Sequence, residues 1–145
     1  MIRIETEPFV RWLKARHEKL ADGASRAVFL AAQSAAIFAK QTKLFKDRTG
    51  RLRKSIKAVQ TGKYRARAIA GTNHAYYIEN GNKPRSGNVI RPKKAKALRF
   101  KLNGVVVFRK FVTPADPRPF MREARNVAMP VFERYVQIAT QDAFK

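Results

Sequence analysis

The stretch that decides the fold is LRFKLNGVVVFRKFV, residues 98–112. Apolar and basic side chains alternate up to Leu102, and Asn103-Gly104 is a dipeptide typical of a two-residue type I′ hairpin turn. That turn pairs Leu102 with Val105 and fixes the pairing of the residues behind them. We predict an antiparallel hairpin with one mostly apolar face and one basic, partly aromatic face.

Two irregular segments flank this hairpin. Residues 82–96 contain Pro84, Gly87 and Pro92 and six basic residues with no acidic one, which predicts a long, mobile basic loop. Residues 114–119 contain three prolines, which predicts a rigid, extended connector. The hairpin therefore stands between a flexible segment and a stiff one.

Helical periodicity marks both ends of the chain. A first helix is predicted to begin near Pro8, which is tolerated in a first turn, and to break or bend at Asp22-Gly23. Apolar residues recur at spacings of three and four over residues 28–45, which indicates an amphipathic helix. A final helix is predicted from Phe120, and Pro130 is expected to kink or split it.

The segments between these helices favour strands and short turns. Residues 64–70 alternate as a strand does, and Thr49 is placed to cap a short helical turn that ends near Ile56. We predict a single α+β domain over residues 1–145. It has an antiparallel sheet of about four strands, with a long N-terminal helix and a C-terminal helix packed on it.

Positive charge is concentrated in the middle of the chain. The 145 residues hold 32 Lys and Arg against 10 Asp and Glu, a net charge of +22. Residues 40–113 hold 21 basic and two acidic side chains, whereas residues 1–39 and 114–145 carry net charges of only +2 and +1. Charge blocks of this kind are typical of a surface that meets a polyanion.

The sequence offers no constellation of residues for catalysis. It has no cysteine, its two histidines fall on different predicted elements, and its carboxylates are scattered. We therefore expect no enzyme activity and no catalytic, cofactor-binding or metal-binding residue. His17 is expected to be a partly buried helix residue, and His74 a loop residue with a local hydrogen bond. Asp47 is expected to pair with Arg48 or Arg51, and Glu79 to form a structural ion pair or a hydrogen bond to the nearby turn.

No segment favours a membrane location. The longest uncharged stretch, residues 27–39, has 13 residues, against about 20 needed to span a bilayer. The first seven residues carry Glu5 and Glu7, unlike the start of a secretory signal. We expect an intracellular product without membrane contact.

The basic middle segment allows two interpretations. It can neutralise the phosphates of duplex DNA without reading sequence, because phosphate contacts need reach more than fixed geometry. It can also be a solvated face, or an interface with an acidic partner subunit. The expected DNA or partner contacts are Lys83, Arg85, Arg91, Lys93, Lys94, Lys96, Arg99 and Lys101.

Five aromatic residues in the same segment could stack on bases, but aromatic residues on strands more often fill a core or an interface. They are Tyr76, Tyr77, Phe100, Phe108 and Phe111.

Three segments, in order, resemble a known family. Residues 49–56, TGRLRKSI, match an element of the tail-completion proteins of long-tailed bacteriophages, also called head–tail joining or minor tail proteins. Residues 77–81, YIENG, resemble that family's Y-x-E-x-G turn, and residues 117–124, PRPFMREA, resemble its entry to the C-terminal helix. The residues that carry the resemblance are Thr49, Gly50, Arg51, Leu52, Ser55, Tyr77, Glu79, Gly81, Arg118, Pro119 and Phe120.

The chain differs from the family pattern at one position, and a second family shares one of the motifs. Asn82 follows the glycine of the turn, where many members of the family have threonine. The Arg118-Pro119-Phe120 element is shared with a second family, the virion morphogenesis proteins of contractile-tailed phages. The hairpin of residues 97–110 is similar to that of the longer tail-completion members.

Membership would imply a virion structural protein that needs no cofactor. It would assemble with copies of itself as a ring, expected to be a hexamer, at the neck of the particle. Its partners would be the head connector or stopper and the tail tube or tail terminator, with genomic DNA passing through the lumen. Assembly would take place in the host cytoplasm.

Two other functions remain open on the sequence alone. The charge would also suit a non-sequence-specific DNA-binding protein with an architectural or packaging role. A small nuclease or toxin would need a metal or carboxylate cluster, which the sequence does not provide.

Overall fold

Eight helices and strands make up the described part of the computed structural model, which covers residues 7–84, 89–102 and 104–145. They confirm the α+β class with a long N-terminal and a C-terminal helix. In chain order they are α1 (Glu7–Gln41), α2 (Arg51–Ser55), β1 (Ile56–Gly62), β2 (Arg65–Ala70), α3 (Ala75–Asn80), β3 (Leu98–Leu102), β4 (Val105–Arg109) and α4 (Phe120–Phe144).

The four strands are divided between two antiparallel hairpins, β1–β2 and β3–β4, rather than joined in one sheet. The chain likewise forms two compact units. The first comprises residues Met1–Thr72 and Phe120–Lys145, and the second comprises residues Asn73–Pro119. The helix pair and the first hairpin belong to the first unit, and the second hairpin to the second.

The first unit is built on two antiparallel helices. Gly23 of α1 faces Ala139 of α4, and beyond the far end of α1 the ring of Phe45 meets the ring of Phe120 edge to face, with centroids 4.7 Å apart. The long C-terminal helix therefore packs chiefly on α1. Hairpin β1–β2 packs on α1 as well.

The predicted break or bend at Asp22-Gly23 does not interrupt the helix, because α1 is continuous through both residues. A Cβ atom placed on Gly23 would lie 2.4 Å from the Cβ of Ala139. Glycine is thus the residue that lets two helix backbones approach here, and the packing outweighs its low helix propensity.

Pro130 does not split α4, which runs unbroken from Phe120 to Phe144. A proline removes one hydrogen bond to the preceding turn of a helix. Buried alanines on both sides of it, Ala128 and Ala143, keep both halves of the helix docked. The stripe predicted for this helix is partly exposed, since Tyr135 and Ile138 retain 38% and 41% of their accessible surface.

Hairpin β1–β2 confirms the strand predicted for residues 64–70 and adds a partner for it. Residues Ala66, Ala68 and Ala70 are half-buried, while the intervening residues of β2 are exposed. The partner strand β1 begins at Ile56, which is fully buried. The sequence predicts a helical turn that ends near Ile56, but helix α2 ends one residue earlier, at Ser55.

Hairpin β3–β4 has the predicted register. Leu102 pairs with Val105, and the pairing continues without a shift to Leu98 opposite Arg109. Gly104 has a φ of +86°, as a tight turn requires, while Asn103 lies outside the described residues. An isolated bridge joins Ile90 to Val112 and ties the basic loop to the segment after β4.

The aromatic residues Tyr76 and Tyr77 do not lie on strands, as predicted, but on the short helix α3. Both are exposed, with 67% and 57% of their surface accessible. The segment of residues 75–80 is too short for its pattern of apolar and polar residues to distinguish a helical turn from a strand. Phe108 and Phe111 are also exposed rather than in a core.

Candidate assembly and polyanion-contact surfaces

Arg53 closes the turn between α1 and α2. Its guanidinium donates hydrogen bonds to the main-chain carbonyls of Thr42, at 2.7 Å, and Phe45, at 3.3 Å, and also to that of Lys40. The guanidinium carbon lies 4.7 Å from the centre of the Phe45 ring. The last carbonyls of a helix lack partners and carry partial negative charge, so this cation caps the C-terminal end of α1.

The carboxylate of Asp47 also stabilises this turn. It accepts the main-chain N–H of Arg53 at 2.8 Å and that of Thr49 at 3.3 Å. These hydrogen bonds, that of Arg53 foremost, lower the pKa of Asp47 below its ordinary value of 3.8. The carboxylate therefore supports the fold at neutral pH, and this support is lost only as the pH falls below that value. The role of Asp47 is structural, as expected, but its partners are the main-chain N–H groups of Arg53 and Thr49 rather than the side chains of Arg48 or Arg51.

The family-motif residues around this turn are mainly structural. Thr49 accepts the N–H of Arg51 through its hydroxyl at 3.4 Å, although the N-cap of α2 is Gly50, with a φ of +69°, rather than Thr49. Leu52 is 1% exposed, and the Ser55 hydroxyl donates to the Leu52 carbonyl at 2.7 Å. The side chain of Arg51 is exposed.

Sequence reasoning missed Arg53, although it lies inside the quoted motif. Its acceptors precede it by 8 to 13 residues. The signal that could have found it is a basic residue shortly after a predicted helix end, where carbonyls need partners.

The turn at Gly81 anchors the proline-rich connector within the second unit. Gly81 has a φ of +74° and a ψ of −179°. A Cβ atom there would lie 2.9 Å from the carbonyl oxygen of Ala115 and 3.1 Å from Pro117. Asn82 completes the turn, because its side-chain oxygen accepts the N–H of Ala115 at 2.5 Å. The residue that departs from the family pattern thus has a local structural partner.

The other motif residues are divided between the two units. The main-chain N–H of Arg118 donates to the carbonyl of Ile78 at 2.7 Å. Tyr77 is exposed and Glu79 half-buried. In the first unit, Phe120 is fully buried against Phe45 at the start of α4, and Pro119 before it is half-buried.

A Gly81→Ala variant is expected to loosen this anchor by about 2 kcal/mol, because the added Cβ would collide with the Ala115 carbonyl and Pro117 in addition to straining a backbone of positive φ. Hydrogen exchange at the amides of Asn82 and Arg118 measures the loss. Gly104→Ala is the control, since its φ is also positive but no atom lies within 4 Å of the added Cβ. Equal effects of the two substitutions would contradict the role of the connector contact.

The predicted basic contacts are exposed wherever the structure describes them. Arg85 lies outside the described residues. None of the others forms a salt bridge to a described carboxylate, so their charge is available to a polyanion. They are Lys83, Arg91, Lys93, Lys94, Lys96, Arg99 and Lys101.

Arg99 and Lys101 share one face of β3. They pair with Phe108 and Val106 across the hairpin, which gives the predicted basic and partly aromatic face. The opposite face contains Phe100 and is apolar, yet it is also largely open to solvent.

A second cationic face lies on the first hairpin. Lys57 of β1 and Arg65 and Arg67 of β2 are all exposed, on the side opposite to the alanines that are half-buried. The alternation over residues 64–70 predicts a strand, and the same alternation places Arg65 and Arg67 together on one face of it.

The apolar side chains of this chain are distributed unusually. Nine of the thirteen buried hydrophobic residues in the described ranges are alanines. Large apolar side chains are instead exposed on several elements, and three clusters of them are of the kind that marks interaction sites. They are Phe9, Trp12 and Leu13 on α1, Val105, Phe108 and Phe111 around β4, and Val127, Tyr135 and Ile138 on α4.

The histidines do not form a site. His17 was expected to be partly buried, but it is exposed because the first part of α1 has no partner element beside it. His74 precedes α3 and makes no side-chain capping bond. Among residues 7–84, 89–102 and 104–145, no group of three or more His, Asp or Glu could hold a metal ion.

None of the described helices combines the length and the apolar character needed to cross a membrane.

Comparison with known proteins gives one match. A family model described as "Bacteriophage HK97-gp10, putative tail-component" matches residues 8–81, slightly more than half of the chain. The match includes α1, the Arg53 turn, hairpin β1–β2 and α3, and ends at Gly81. No curated protein and no solved structure matches the chain.

Proposed function

We propose that this chain, which belongs to the HK97-gp10-like family of bacteriophage tail components, is the subunit of a ring that completes the tail and docks it to the head. The ring is built from copies of the chain, with six as the expected number. Its neighbours are the head connector or stopper on one side and the tail tube or tail terminator on the other.

The observation that carries this proposal is the exposure of large apolar side chains over an alanine-rich core. The side chains of Phe9, Val105 and Phe108 each have more than 60% of their surface accessible. Single exposed apolar residues are ordinary, but several clusters on one small subunit indicate surfaces that become buried on assembly. A structural tail component needs such surfaces and needs no active site.

The unpaired cations support the passage of DNA through the ring. Duplex DNA carries one negative charge per about 1.7 Å of its axis, so a channel around it benefits from cations that reach inward. Exposed cations occur on the loop before β3 and on β3 itself. This arrangement gives attraction without sequence preference.

Loss of the gene tests the proposed position in the particle. Host cells infected without it should accumulate filled heads and separate tails, because no ring joins them. Wild-type protein supplied in trans restores joined particles. Normal joined particles in its absence would contradict the proposal.

The same cations favour a second candidate, a free DNA-binding protein with an architectural or packaging role. It predicts tight, salt-sensitive DNA binding by the isolated protein, and joined particles when the gene is lost. The particle phenotype therefore separates the two functions.

Neutralising Lys93, Lys94 and Lys96 with glutamine is expected to lower the salt dependence of DNA binding. Each phosphate contact contributes about 0.9 to the magnitude of the slope of log K against log salt. The magnitude of that slope should therefore fall by between about two and three in the triple variant. Fluorescence anisotropy with a random duplex measures it. The matched control replaces Lys14, Lys19 and Lys40, exposed lysines of α1. An equal loss in both triples would contradict a contact in the loop.

A further inference from the structure

The first twelve residues of α1 extend beyond the end of α4. The two helices run antiparallel, and Gly23 and Asp22 already lie beside Ala139 and Ala143 near the C-terminal end of α4. No other helix of the described ranges therefore lies beside residues 7–18, here called the overhang, over about 18 Å. All of them are exposed except Arg16, which is half-buried.

The overhang carries a preformed aromatic anchor. The ring of Trp12 stacks on Phe9, with centroids 5.9 Å apart and planes 16° apart, and the guanidinium of Arg16 lies 3.8 Å from the Trp12 ring centroid. Leu13 beside it is 49% exposed. Tryptophan and arginine are enriched at interface hot spots, and apolar residues at this spacing suit a helix that enters a groove.

A groove of suitable chemistry lies elsewhere in the same unit. It has a volume of about 310 Å³ between α1, β2 and α4, and six of its eleven lining residues are alanines: Ala31, Ala32, Ala35, Ala66, Ala68 and Ala128. An apolar cavity of about 150 Å³ is enough to hold benzene. The groove therefore has room for a large aromatic side chain.

The overhang cannot enter the groove of its own chain. Helix α1 is continuous from Glu7 to Gln41, so Trp12 and Ala32 stay about 30 Å apart along one axis. A second copy of the chain has no such restriction. A protrusion and a recess at different places on one molecule make a head-to-tail contact, and such contacts form a ring when the rotation between neighbours closes and an open filament when it does not.

Charge also favours a second copy at this place. Residues 1–39 and 114–145, which contain the overhang and most of the groove, have net charges of only +2 and +1. Copies that met through the middle of the chain would instead bring together segments of +19 each. The overhang itself has three basic and two acidic side chains, and Glu7 at its tip pairs with Arg11 at 3.3 Å, so it brings a net charge of only +1 toward Arg125 of the groove.

We infer that the overhang of one subunit inserts the Trp12 anchor into the alanine-rich groove of the next copy. The inference rests on the proposed ring function and specifies the contact that closes the ring.

The fluorescence of Trp12 tests the insertion directly, because it is the only tryptophan in the chain. Its emission should shift to the blue as the protein concentration rises and rings form. Trp12→Ala should raise the concentration needed for half assembly at least tenfold without unfolding the subunit. The control, Lys14→Ala on the same overhang, should assemble normally. Rings that form with unchanged emission would overturn the inference.

Cross-linking tests the identity of the recess. The chain has no cysteine, so a Phe9→Cys, Met129→Cys variant has one thiol on the overhang and one at the groove. Oxidation should give a ladder of covalent multimers that ends at the ring, and each single variant should give no ladder. Phe9→Cys with Lys57→Cys, on the outer face of β1, is the control and should give none.

The outcomes separate the inference from the function on which it rests. Rings seen by light scattering without a ladder from the Phe9–Met129 pair would overturn the contact and leave the ring function standing. Monomers at every concentration, with and without head and tail partners, would overturn both.

Discussion

The Gly23→Leu variant is expected to lose at least about 3 kcal/mol of the free energy of unfolding, the cost of overpacking a tight contact. A Cβ atom at Gly23 alone would lie 2.4 Å from the Cβ of Ala139, so the two helices must separate. The gain in helix propensity from replacing glycine, about 1 kcal/mol, does not offset this. Urea denaturation followed by circular dichroism measures the loss.

Two further variants isolate the close approach as the cause. Gly71→Ala is the matched control, since its added Cβ would lie 3.8 Å from the nearest atoms, an ordinary contact distance. It should leave stability nearly unchanged. Gly23→Ala should be destabilising alone and be partly rescued by Ala139→Gly, so that the two changes couple. Additive effects of these two substitutions would contradict the packing described for α1 and α4.

The Arg53→Ala variant is expected to lose about 3 kcal/mol of the free energy of unfolding. It removes a cation that donates to one main-chain carbonyl in the last turn of α1 and to two just after it, and that stacks on Phe45. Hydrogen bonds from a charged group contribute about 1.5–3 kcal/mol each, and partial exposure reduces their sum. Thermal or urea unfolding reports the difference.

Substitution with lysine tests the geometry of this cap. Arg53→Lys keeps the charge but loses the planar fork that reaches several acceptors, so it should recover less than half of the lost stability. Arg51→Ala is the control on the same short helix, because the Arg51 side chain is exposed. Equal losses for Arg51→Ala and Arg53→Ala would show that the contacts of Arg53 do not stabilise the turn.

The elements best predicted from sequence are those specified locally. Hairpin β3–β4 has the predicted register because strict alternation and an Asn-Gly turn act within a dozen residues. The continuity of α1 was not predictable in this way, because the glycine at position 23 is explained by Ala139, more than a hundred residues away. The division of the strands into two hairpins is likewise a long-range property.

The candidate surfaces were predictable in part. The excess of cations in the middle of the chain identified the basic loop, and the structure adds a second cationic face on β1–β2 that the strand pattern contained. The exposure of the aromatic anchor on α1 could not be predicted from the sequence, because apolar residues at helical spacing normally indicate a buried helix face. Only the position at which α4 ends shows that no other described helix lies beside Phe9, Trp12 and Leu13.

The molar mass of the assembled protein tests the central claim most directly. Light scattering on a concentration series, with electron microscopy of the same sample, should show closed rings, and six copies of the 16.6 kDa chain would give about 100 kDa. High salt should favour them by screening the cations of neighbouring copies. A single species of 16.6 kDa throughout, both alone and mixed with head connector and tail tube, would contradict the account.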